Sequence, residues 1–588
     1  MCLYHCFTDW TVCINSLHGG GTLEKRKKIV VVGGSAAGPK AAAKARRIDS
    51  NAEVIMLQKN AELSMASCGY PYYVGGYFDN RDMLLSNPAG ITRDPVYFRS
   101  AKDIDARVNT EVTSVDKDGH RVFFKNTITG ETGELTYDKL IIATGATPLM
   151  PPIPGIDLEG ITTLQSLQDA DFLRKIGDDG EVKKAVIVGG GLIGVETSEA
   201  LQLADIEITI IELVPQLLTF LDWELAKLVE NHVRSKGANV ITDNGVAAFL
   251  GKDGKLAAVK LRNGTELPCE LAVVAIGVRP NVKLAKDMGL TIGATGGIEV
   301  NAYMQTSNPD IYAVGDCVES VNRLTGKKVF APYGDLANLQ GRVAGENAAL
   351  GNCVKFPGTI QTGICKVFDY AAGSTGLSEF VAKRLEYPDI ITVINAGLDK
   401  PGFMGGKLLV TKLVADRKTG KILGAQCVGP GNVAKQIAQW SMAIQGNLSV
   451  EDIVNADLPY APPYSLAIDH CIATAHVMQN KMKGRMTGIS SMDVHQKLAN
   501  NEKPFLLDVR EPGEYKQMRL GVGETLIPVG ALRSRLHELP QDKDIEIICF
   551  CQVALRGYEA ALVLKHNGWK NVKVMEGGVV SWPFPREK

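Results

Sequence analysis

The chain has 588 residues, a formal net charge of −1 and a composition of 45% hydrophobic and 22% charged residues, which is typical of a folded α/β protein with roughly three to four domains. No basic tract extends beyond the short KRKK at 25–28, so charge gives no reason to expect nucleic-acid binding. No apolar run approaches the ~20 residues that span a bilayer, and we therefore expect a cytoplasmic protein that does not bind membranes.

The N-terminal extension, residues 1–26, lacks the basic start and the continuous apolar stretch of a signal peptide. We interpret it as an appendage or as the product of an early start codon. Its cysteines and histidines match no zinc-binding pattern, so no metal site is predicted; they are Cys2, His5, Cys6, Cys13 and His18. The twelve cysteines of the chain are widely spread, which indicates buried thiols rather than a disulfide framework.

A first nucleotide-binding turn is predicted within KIVVVGGSAAGPKAAAKARR, at 28–47. An apolar strand precedes Gly33, Gly34 and Gly38, and an alanine-rich helix follows. Small residues let a pyrophosphate approach the backbone, and the helix N-terminus stabilises its charge. Ser35 replaces the middle glycine of the usual G-x-G-x-x-G pattern, so tight packing alone would also explain these glycines.

A second turn, AVIVGGGLIGVE at 185–196, has all three glycines in register. The next strand ends on Glu212, whose carboxylate can accept hydrogen bonds from both ribose hydroxyls and would repel a 2′-phosphate. This acid favours NADH over NADPH. In the first copy the corresponding strand ends on Gln58, a neutral amide that bonds a ribose more weakly.

Three further segments are apolar strands that end in small residues: YDKLIIATGATP (137–148), LAVVAIGVRPN (271–281) and NPDIYAVGDCV (308–318). With the two glycine turns, and in this order, they resemble the two-nucleotide flavoprotein disulfide reductases. In that family the Asp of the GD segment bonds the ribityl chain of the flavin, and the ATG segment packs beside the cofactor. The resemblance therefore implies that FAD and NADH are bound together.

Pattern and resemblance together assign a set of cofactor-binding residues. These residues are Gly33, Gly34, Ala36, Ala37, Gly38, Gln58, Lys59, Ser67, Val112, Ala143, Thr144, Gly145, Gly315, Asp316, Gly189, Gly191, Leu192, Ile193, Gly194, Glu212 and Gly277. The resemblance allows coenzyme A as a further ligand and implies no metal.

Cys68 lies in ELSMASCGYPYY, at 62–73, with Tyr73 where disulfide reductases of the C-x4-C type carry a second cysteine. The S-x-x-S-C-G-x-P-Y-Y pattern resembles instead the single-cysteine branch of coenzyme A disulfide reductases, NADH-dependent persulfide reductases, NADH oxidases and NADH peroxidases. In that branch the thiol alternates between a thiolate beside the flavin and a sulfenic acid or mixed disulfide. The thiolate is the nucleophile, so Cys68 needs a helix terminus or a positive charge that stabilises its anion.

Within this branch, peroxidases and related oxidases carry a histidine in the first glycine turn, where Ala36 stands here. The segment ADLPYAPPYSLAIDH, at 456–470, resembles the C-terminal segment of coenzyme A disulfide reductases, whose tyrosine reaches from the partner subunit toward the cysteine. The candidates are Tyr460 and Tyr464. A phenol there can donate a proton to a leaving sulfur, although packing in a proline-rich turn is an alternative for Tyr464.

Ser64 and Arg47 occupy positions that contact coenzyme A in that family. A helical arginine suits a phosphate group, although exposed helix arginines are common. A turn at 395–405 that often carries a tyrosine in the family reads NAGLDKPGFMG, with Phe403 as its only aromatic residue. This departure leaves the identity of the thiol carrier open.

The last hundred residues contain PFLLDVREPGEY, at 504–515, and a strand that runs into Cys551. The DVR-x-x-x-E-[YF] segment, the cysteine-started loop closed by Arg556 and the terminal GG-x-x-x-W resemble a rhodanese domain. A loop that leads into a helix N-terminus surrounds one sulfur with backbone N–H groups and stabilises a thiolate or persulfide. Cys549 is expected to be a core residue.

We therefore predict an α/β fold with two Rossmann-like FAD and NAD(P) domains, an α+β dimerisation domain and a C-terminal rhodanese α/β domain. The dimerisation domain implies a homodimer. The predicted ranges are 27–150 and 275–350 for FAD binding, 151–274 for NAD binding, 351–482 for dimerisation, 483–490 for a linker and 491–588 for the rhodanese domain.

The predicted catalytic residues are Cys68, Cys551, Tyr460 and Arg556, and the predicted substrate residues are Arg47, Ser64 and Tyr464. Cys551 would accept sulfane sulfur and pass it, directly or on a small thiol, to Cys68, where FAD and NADH reduce persulfide, polysulfide or coenzyme A disulfide. Two alternatives stay open: an NADH oxidase that reduces oxygen, and a flavin-bearing redox sensor or sulfur-binding scaffold.

Overall fold

A computed structural model describes residues 26–387 and 389–587 of the chain. Residues 1–25, which hold the cysteines and histidines considered for a metal, lie outside this range. Among the described residues, no helix combines the length and the apolar character needed to cross a membrane.

The chain divides into two compact units, each assembled from several segments. The first unit contains the described residues up to Pro152, Thr162–Glu181 and Val274–Thr359, and the second contains Ile153–Ile161, Val182–Val273 and the described residues from Ile360 onward. Both units contain parallel sheets flanked by helices, which confirms the predicted α/β class.

The first unit is built on a five-stranded parallel sheet whose valine- and isoleucine-rich strands are buried, as expected for a sheet covered on both faces. In spatial order its strands are Ile311–Ala313, Lys139–Ile142, Lys28–Val32, Glu53–Leu57 and Asp105–Arg107. The helices Ala37–Ile48 and Gly334–Leu350 pack so closely that only glycine fits at position 345. A Cβ there would lie 2.3 Å from the carbonyl oxygen of Ala41.

Smaller elements complete the first unit. Its remaining strands are Thr110–Asp116, Arg121–Asn126 and Thr132–Thr136 in one antiparallel sheet, the pair Ala146–Pro148 and Val278–Pro280, and the pair Ser320–Val321 and Lys328–Val329. Its remaining α-helices are Tyr70–Val74, Pro95–Lys102, Leu167–Asp179 and Lys283–Asp287.

The second unit begins with another five-stranded sheet, in which the first three strands in spatial order pair in parallel. In spatial order its strands are Asn239–Ile241, Glu207–Ile211, Lys184–Val188, Leu271–Val274 and Ile161–Thr162. Helices Leu192–Gln202 and Trp223–Ser235 accompany it, together with an antiparallel sheet of Val246–Lys252, Lys255–Leu261 and Glu266–Pro268.

A five-stranded antiparallel sheet follows in the second unit, and Trp440 is fully buried in this region. In spatial order its strands are Gly363–Val367, Tyr370–Gly376, Ile422–Gly429, Leu408–Asp416 and Ile390–Leu398. The helices of this region are Glu379–Arg384, Val433–Gln445, Val450–Ile453 and His470–Met482.

The last sheet of the second unit is parallel. In spatial order its strands are Gly488–Ile489, Val572–Met575, Ile547–Phe550, Phe505–Asp508 and Thr525–Leu526, and its helices are Ser491–Ala499, Pro512–Gln517, Val529–Leu532 and Leu555–His566. Gly488 and Ile489, which fall in the predicted linker, pair with Val574 and Met575 and so form an edge strand.

The nine cysteines of the described residues form no disulfide. Cys68 is exposed, Cys353 is half-buried, and the others, including Cys549 and Cys551, are buried. The prediction of mostly buried thiols is confirmed for this part of the chain.

Candidate active site

The first glycine turn brings three segments into close contact. A Cβ on Gly33 would lie 2.1 Å from the carbonyl oxygen of Ala143, and a Cβ on Gly38 would lie 1.8 Å from the carbonyl oxygen of Gly33. The helix that follows begins without a side-chain cap at Ala36 and without an acidic residue in its first turn. Its N–H groups and its positive end therefore suit an anion such as a pyrophosphate.

The ATG and GD segments lie at the same edge of the first sheet. Thr144 Oγ1 donates a 2.7 Å hydrogen bond to the backbone carbonyl of Asn281, and the Asn281 N–H donates to Gly145 at 2.9 Å. A Cβ on Gly315 would lie 3.1 Å from the Cβ of Ala37, which places the GD segment against the first helix.

Asp316, the residue after Gly315, is half-buried, and burial raises the pKa of its carboxyl to about 6. Carboxylates in such surroundings need hydrogen-bond donors. The hydroxyl groups of a flavin ribityl chain are donors of this kind, so the residues present fit FAD.

The other predicted FAD contacts lie near the first turn. Gln58 Oε1 accepts from the Gly34 N–H at 3.0 Å, and Gln58 Nε2 donates to the carbonyl of Glu62 at 3.1 Å, so the backbone already holds both ends of this amide. Lys59 is exposed and forms a 2.9 Å ion pair with Glu111. Val112 is half-buried beside the core of the first unit.

Cys68 lies in the short 3-10 helix Ser67–Gly69. The N–H of Ser64 donates a 2.7 Å hydrogen bond to the carbonyl of Gly34, which ties this loop to the first glycine turn. An ideal Cβ on Gly334 would lie 3.5 Å from the Sγ of Cys68. Gly334 is the first residue of a 17-residue helix, and the positive end of a helix stabilises a thiolate.

Sequence reasoning missed the contribution of Gly334. The segment APYGDLANLQGR (331–342) carries no pattern that links it to Cys68, because the contact depends on tertiary packing. The hydrogen bonds between Asn281 and the ATG segment, which include a third bond from Asn281 Nδ2 to the Thr144 carbonyl at 2.9 Å, were missed for the same reason. Local sequence patterns therefore predict neither the Gly334 contact nor the Asn281 hydrogen bonds.

The second glycine turn repeats the first in the second unit. A Cβ on Gly194 would lie 2.0 Å from the carbonyl oxygen of Gly189. Glu212 accepts from the Gly190 N–H at 2.7 Å and from the Val214 N–H at 3.0 Å. A Cβ on Gly191 would meet no atom within 4 Å.

The helix of the second turn also begins without a side-chain cap or an acidic first turn. Leu192 is its first residue, and Ile193 is 42% exposed. These features suit the pyrophosphate of a second dinucleotide. Gly277 lies in the first unit, where it is exposed and has a φ of +112°.

The predicted substrate residues are accessible. Arg47 is exposed near the end of the first helix, and Ser64 has a positive φ of 52° in the Cys68 loop. In the second unit Tyr460 is 55% exposed and Tyr464 is 76% exposed. Tyr460, but not Tyr464, lines a cavity of about 390 Å³ formed by residues 454–460, 465–469 and 472.

The second candidate thiol, Cys551, lies in a loop that we call the sulfur loop, residues 551–556. The Cys551 carbonyl accepts from the Val579 N–H at 2.9 Å. A Cβ on Gly578, whose φ is +62°, would lie 2.3 Å from the same carbonyl oxygen. Ala554 has a φ of +84° immediately before the helix that follows, so the loop is tightly wound around the cysteine.

Arg556 closes the sulfur loop. Its Nη1 and Nη2 each donate a 2.7 Å hydrogen bond to one carboxylate oxygen of Glu514. These bonds lower the pKa of Glu514 to about 2 and, with a smaller contribution from the nearby Cys551 thiol, raise the pKa of Arg556. Glu514, the acid of the DVR-x-x-x-E pattern, therefore holds the arginine that was predicted to close the loop.

The comparison with known families agrees with this geometry. The pattern of the pyridine nucleotide-disulphide oxidoreductases matches residues 27–331. The chain belongs to the pyridine nucleotide-disulphide oxidoreductase family. The dimerisation domain of this family matches residues 362–471, and a rhodanese-like domain matches residues 491–583.

Several known proteins resemble most of the chain. A solved structure of an NAD-dependent persulfide reductase from A. fulgidus is 42% identical, with a TM-score of 0.89 over 94% of this chain and 100% of that one. An NADH oxidase from Methanocaldococcus jannaschii is 34% identical over 73% of this chain and 93% of its own length. An NAD(P)H sulfur oxidoreductase (CoA-dependent) from Pyrococcus abyssi is 33% identical over 75% and 96%.

The resemblance read from the sequence is therefore confirmed. The protein is an FAD-dependent disulphide oxidoreductase that uses NAD(P)H and carries a rhodanese-like domain at its C-terminal end. The roles of individual residues at Cys68 and Cys551 stay predictions.

Proposed function

We propose that this disulphide oxidoreductase uses NADH to reduce the S–S bond of persulfides, polysulfides or coenzyme A disulfide at Cys68, while Cys551 handles sulfane sulfur. The observation that carries the proposal is the exposed Cys68 thiol beside the N-terminal end of the helix that begins at Gly334. An accessible, stabilised thiolate can attack an incoming sulfur atom. The names of the A. fulgidus and P. abyssi relatives support the same substrate class.

The two glycine turns and the GD segment would hold the cofactors. The first turn and Asp316 suit FAD, and the second turn with Glu212 suits NADH, because an acid at that position repels a 2′-phosphate. When bound, FAD supplies the two-electron chemistry that links NADH oxidation to disulfide reduction. The chain supplies the position of the reacting thiol and the field around it.

Cys68 would carry the sulfur chemistry. Its thiolate attacks one sulfur of R–S–SH, forms a new S–S bond and releases the other half as a thiol or as sulfide. Two electrons then cleave the new bond and release the second half. Overall, NADH, one proton and R–S–SH give NAD⁺, R–SH and H₂S, so atoms and electrons balance.

A second copy of the chain would complete the site. The matched dimerisation domain supports a homodimer, and the partner subunit's Tyr460 would approach Cys68 and donate a proton to the leaving sulfur. The 55% exposure of Tyr460 and the cavity beside it are consistent with this role. Arg47 and Ser64 would contact the thiol carrier, for which coenzyme A is the candidate.

The Cys68→Ser variant tests the proposal under anaerobic conditions. We expect it to retain FAD and NADH-driven reduction of artificial dyes, and to lose persulfide reduction by about 10³-fold or more, as when a catalytic nucleophile is removed. The matched control is Cys353→Ser, which changes a half-buried thiol of the same unit and should leave both activities intact. Persulfide turnover that survives Cys68→Ser would exclude Cys68 as the nucleophile.

A second candidate function is NADH oxidation by oxygen, which the name of the M. jannaschii relative favours. Ala36 provides no acid or base in the first turn to assist peroxide chemistry. The wild-type protein should therefore consume NADH faster with persulfide under argon than with air alone. Faster consumption in air would support the oxidase.

A further inference from the structure

The segment after Glu212 lies against a second loop of the same domain. The Asn244 N–H donates a 3.2 Å hydrogen bond to the Glu212 carbonyl, and the Asp243 N–H donates to the Val214 carbonyl at 3.1 Å. In a dinucleotide-binding turn, the acid at the end of the second strand marks the place of the adenosine ribose. Residues 243–245 therefore border the adenosine end of the second site.

Arg262 reaches this place from a distant part of the chain. It follows the strand Lys255–Leu261, and its N–H donates a 2.8 Å hydrogen bond to the Gly245 carbonyl. An ideal Cβ on Gly245 would lie 2.9 Å from Arg262 Nε and 3.1 Å from Leu213 Cδ1. The side chains of Arg262 and Leu213 thus converge on one point. Because Leu213 directly follows Glu212, the arginine lies beside the end of the strand that carries the acid.

The guanidinium of Arg262 is uncompensated. Arg262 is exposed, and its side chain forms no ion pair or hydrogen bond with any residue that the structure describes. Lys260, on the preceding strand, is instead paired with Glu266 at 3.2 Å. Glu212 does not pair with Arg262 either, because its two carboxylate oxygens accept from backbone N–H groups. The charge of Arg262 is therefore available to an anionic ligand.

We propose that Arg262 binds the 2′-phosphate of NADPH and so lets the second turn accept NADPH as well as NADH. A carboxylate at position 212 alone would repel this phosphate, whereas a guanidinium beside it supplies a positive charge and N–H donors that match phosphate oxygens. The inference rests on the proposed function only in placing the nicotinamide dinucleotide at the second turn.

Arg262 acts on binding and not on electron transfer. The 2′-phosphate belongs to the adenosine half of the dinucleotide, so it takes no part in the redox change of the nicotinamide. Removing the guanidinium should therefore raise the KM for NADPH by about tenfold, as expected for one lost charge-assisted contact. The kcat with NADPH and both constants with NADH should stay unchanged.

Adenosine 2′,5′-bisphosphate and AMP probe the same site without turnover. Full-length, FAD-loaded protein is titrated with each compound in a calorimeter. We expect the wild type to bind the bisphosphate at least as tightly as AMP, and Arg262→Gln to bind the bisphosphate about tenfold more weakly with unchanged affinity for AMP. Arg262→Lys should retain part of the affinity, because an ammonium keeps the charge but loses the planar fork.

The matched control is Lys252→Gln. Lys252 is an exposed cation at the end of the strand Val246–Lys252, which pairs with the strand that precedes Arg262. The substitution removes the same charge from the same sheet, and it should change the affinity for neither compound. Unchanged AMP binding in Arg262→Gln shows in addition that the site is intact.

Four results would overturn the inference: a wild type that binds AMP and not the bisphosphate, unchanged bisphosphate affinity in Arg262→Gln, equal loss of both compounds in that variant, or the same loss in Lys252→Gln. Binding of neither compound to the wild type would reject the inference together with the second turn as a nucleotide site. Since the titration needs neither Cys68 nor a sulfur substrate, failure of persulfide reduction would leave its result unaffected. An active persulfide reductase that gives one of the four results would reject the inference alone.

Discussion

Asp316 shows how burial acts on a single carboxyl group of this protein. It lies in the GD segment, and burial raises the pKa of its carboxyl to about 6. No cation or donor contributes to this shift, so the charged form is penalised in the flavin-free fold. Donors from a bound flavin would remove the penalty, so we expect the free energy of unfolding to depend on both pH and FAD.

We predict that Asp316→Asn stabilises the flavin-free protein near pH 7.5 and weakens FAD binding. The folded-state pKa of about 6 lies above the ordinary value of 3.8. The carboxylate therefore destabilises the fold above pH 6, and the penalty fades as the pH falls toward about 4. The pKa shift corresponds to a destabilisation of the fold by at most about 3 kcal/mol. Because the Asp316 side chain is partly exposed to solvent, we expect a destabilisation of about 1–3 kcal/mol.

Thermal unfolding of the flavin-free protein at pH 7.5 and pH 4 measures this effect. The variant should unfold at a higher temperature than the wild type at pH 7.5, and at nearly the same temperature at pH 4. Equal stabilisation at both pH values would show that the carboxylate charge is not the cause. Titration with FAD provides the separate measurement of affinity.

At the scale of elements, the two glycine turns use one device. The last glycine of each turn, Gly38 or Gly194, lets the helix pack closely on the carbonyl of the first glycine, because a Cβ at that position would lie only about 2 Å from the carbonyl oxygen. In both turns the side chain at the end of the next strand, Gln58 or Glu212, accepts a hydrogen bond from the backbone N–H of the residue directly after the first glycine. The strand, turn and helix therefore form one rigid unit before any ligand binds.

We predict that Gly194→Ala and Gly191→Ala impair NADH use for different reasons. The Gly194 methyl would lie 2.0 Å from the Gly189 carbonyl oxygen, so the helix must move and stability should fall by about 1–3 kcal/mol. The Gly191 methyl would meet no protein atom within 4 Å, and its φ of −76° is open to alanine. Stability should then be preserved while the KM for NADH rises.

Thermal unfolding and steady-state kinetics separate the two variants. Both should retain FAD, because Gly191 and Gly194 belong to the second turn. A Gly191→Ala protein with a wild-type KM for NADH would mean that the cofactor does not approach the backbone there. Destabilisation by Gly191→Ala would mean that the fold, rather than the ligand, requires this glycine.

These elements also show what the sequence can predict. The glycine turns, the GD segment, Cys68 and the DVR-x-x-x-E pattern are local in the chain, so their residue spacing indicates their geometry. Gly334 lies beside Cys68 only through packing of its helix, and no local pattern reports that contact. Likewise, the short strand Gly488–Ile489 lies in a polar, glycine-containing segment that reads as a linker, because pairing with Val574 and Met575 overrides local composition.

At the scale of the whole molecule, the second unit is joined by buried ion pairs. Lys412 is 3% exposed and contacts the carboxylates of Asp222, Glu224 and Glu379. Asp222 also accepts from the backbone N–H groups of Glu379 and Phe380 at 2.9 Å. The N-terminus of a helix, a buried strand and the second nucleotide-binding region therefore meet at one charged cluster.

The rhodanese-like region is attached to this unit in a similar way. Glu576 is 4% exposed, and it accepts from the Ile394 N–H at 3.0 Å and forms an ion pair with Lys481. A Cβ on Gly488 would lie 1.8 Å from Glu576 Oε1, so glycine is required where the carboxylate passes the linker. These contacts indicate a docked domain rather than one that moves on a flexible tether.

We therefore predict that Glu576→Ala releases the rhodanese-like domain. Removing the carboxylate leaves the Ile394 N–H and the Lys481 ammonium without this partner, which should cost about 2–4 kcal/mol because the pair is only partly exposed. Glu576→Gln keeps an acceptor for Ile394 and should cost less. Amide hydrogen exchange at Ile394 and proteolysis within 483–490 should both accelerate in the order wild type, Glu576→Gln, Glu576→Ala.

The control for this prediction is Arg519→Ala, which breaks an exposed ion pair with Glu587. Such exposed pairs contribute only about 0–1 kcal/mol to stability, so the control should leave linker cleavage unchanged. Linker cleavage that accelerates equally in Arg519→Ala would show that docking of the rhodanese-like domain does not depend on Glu576.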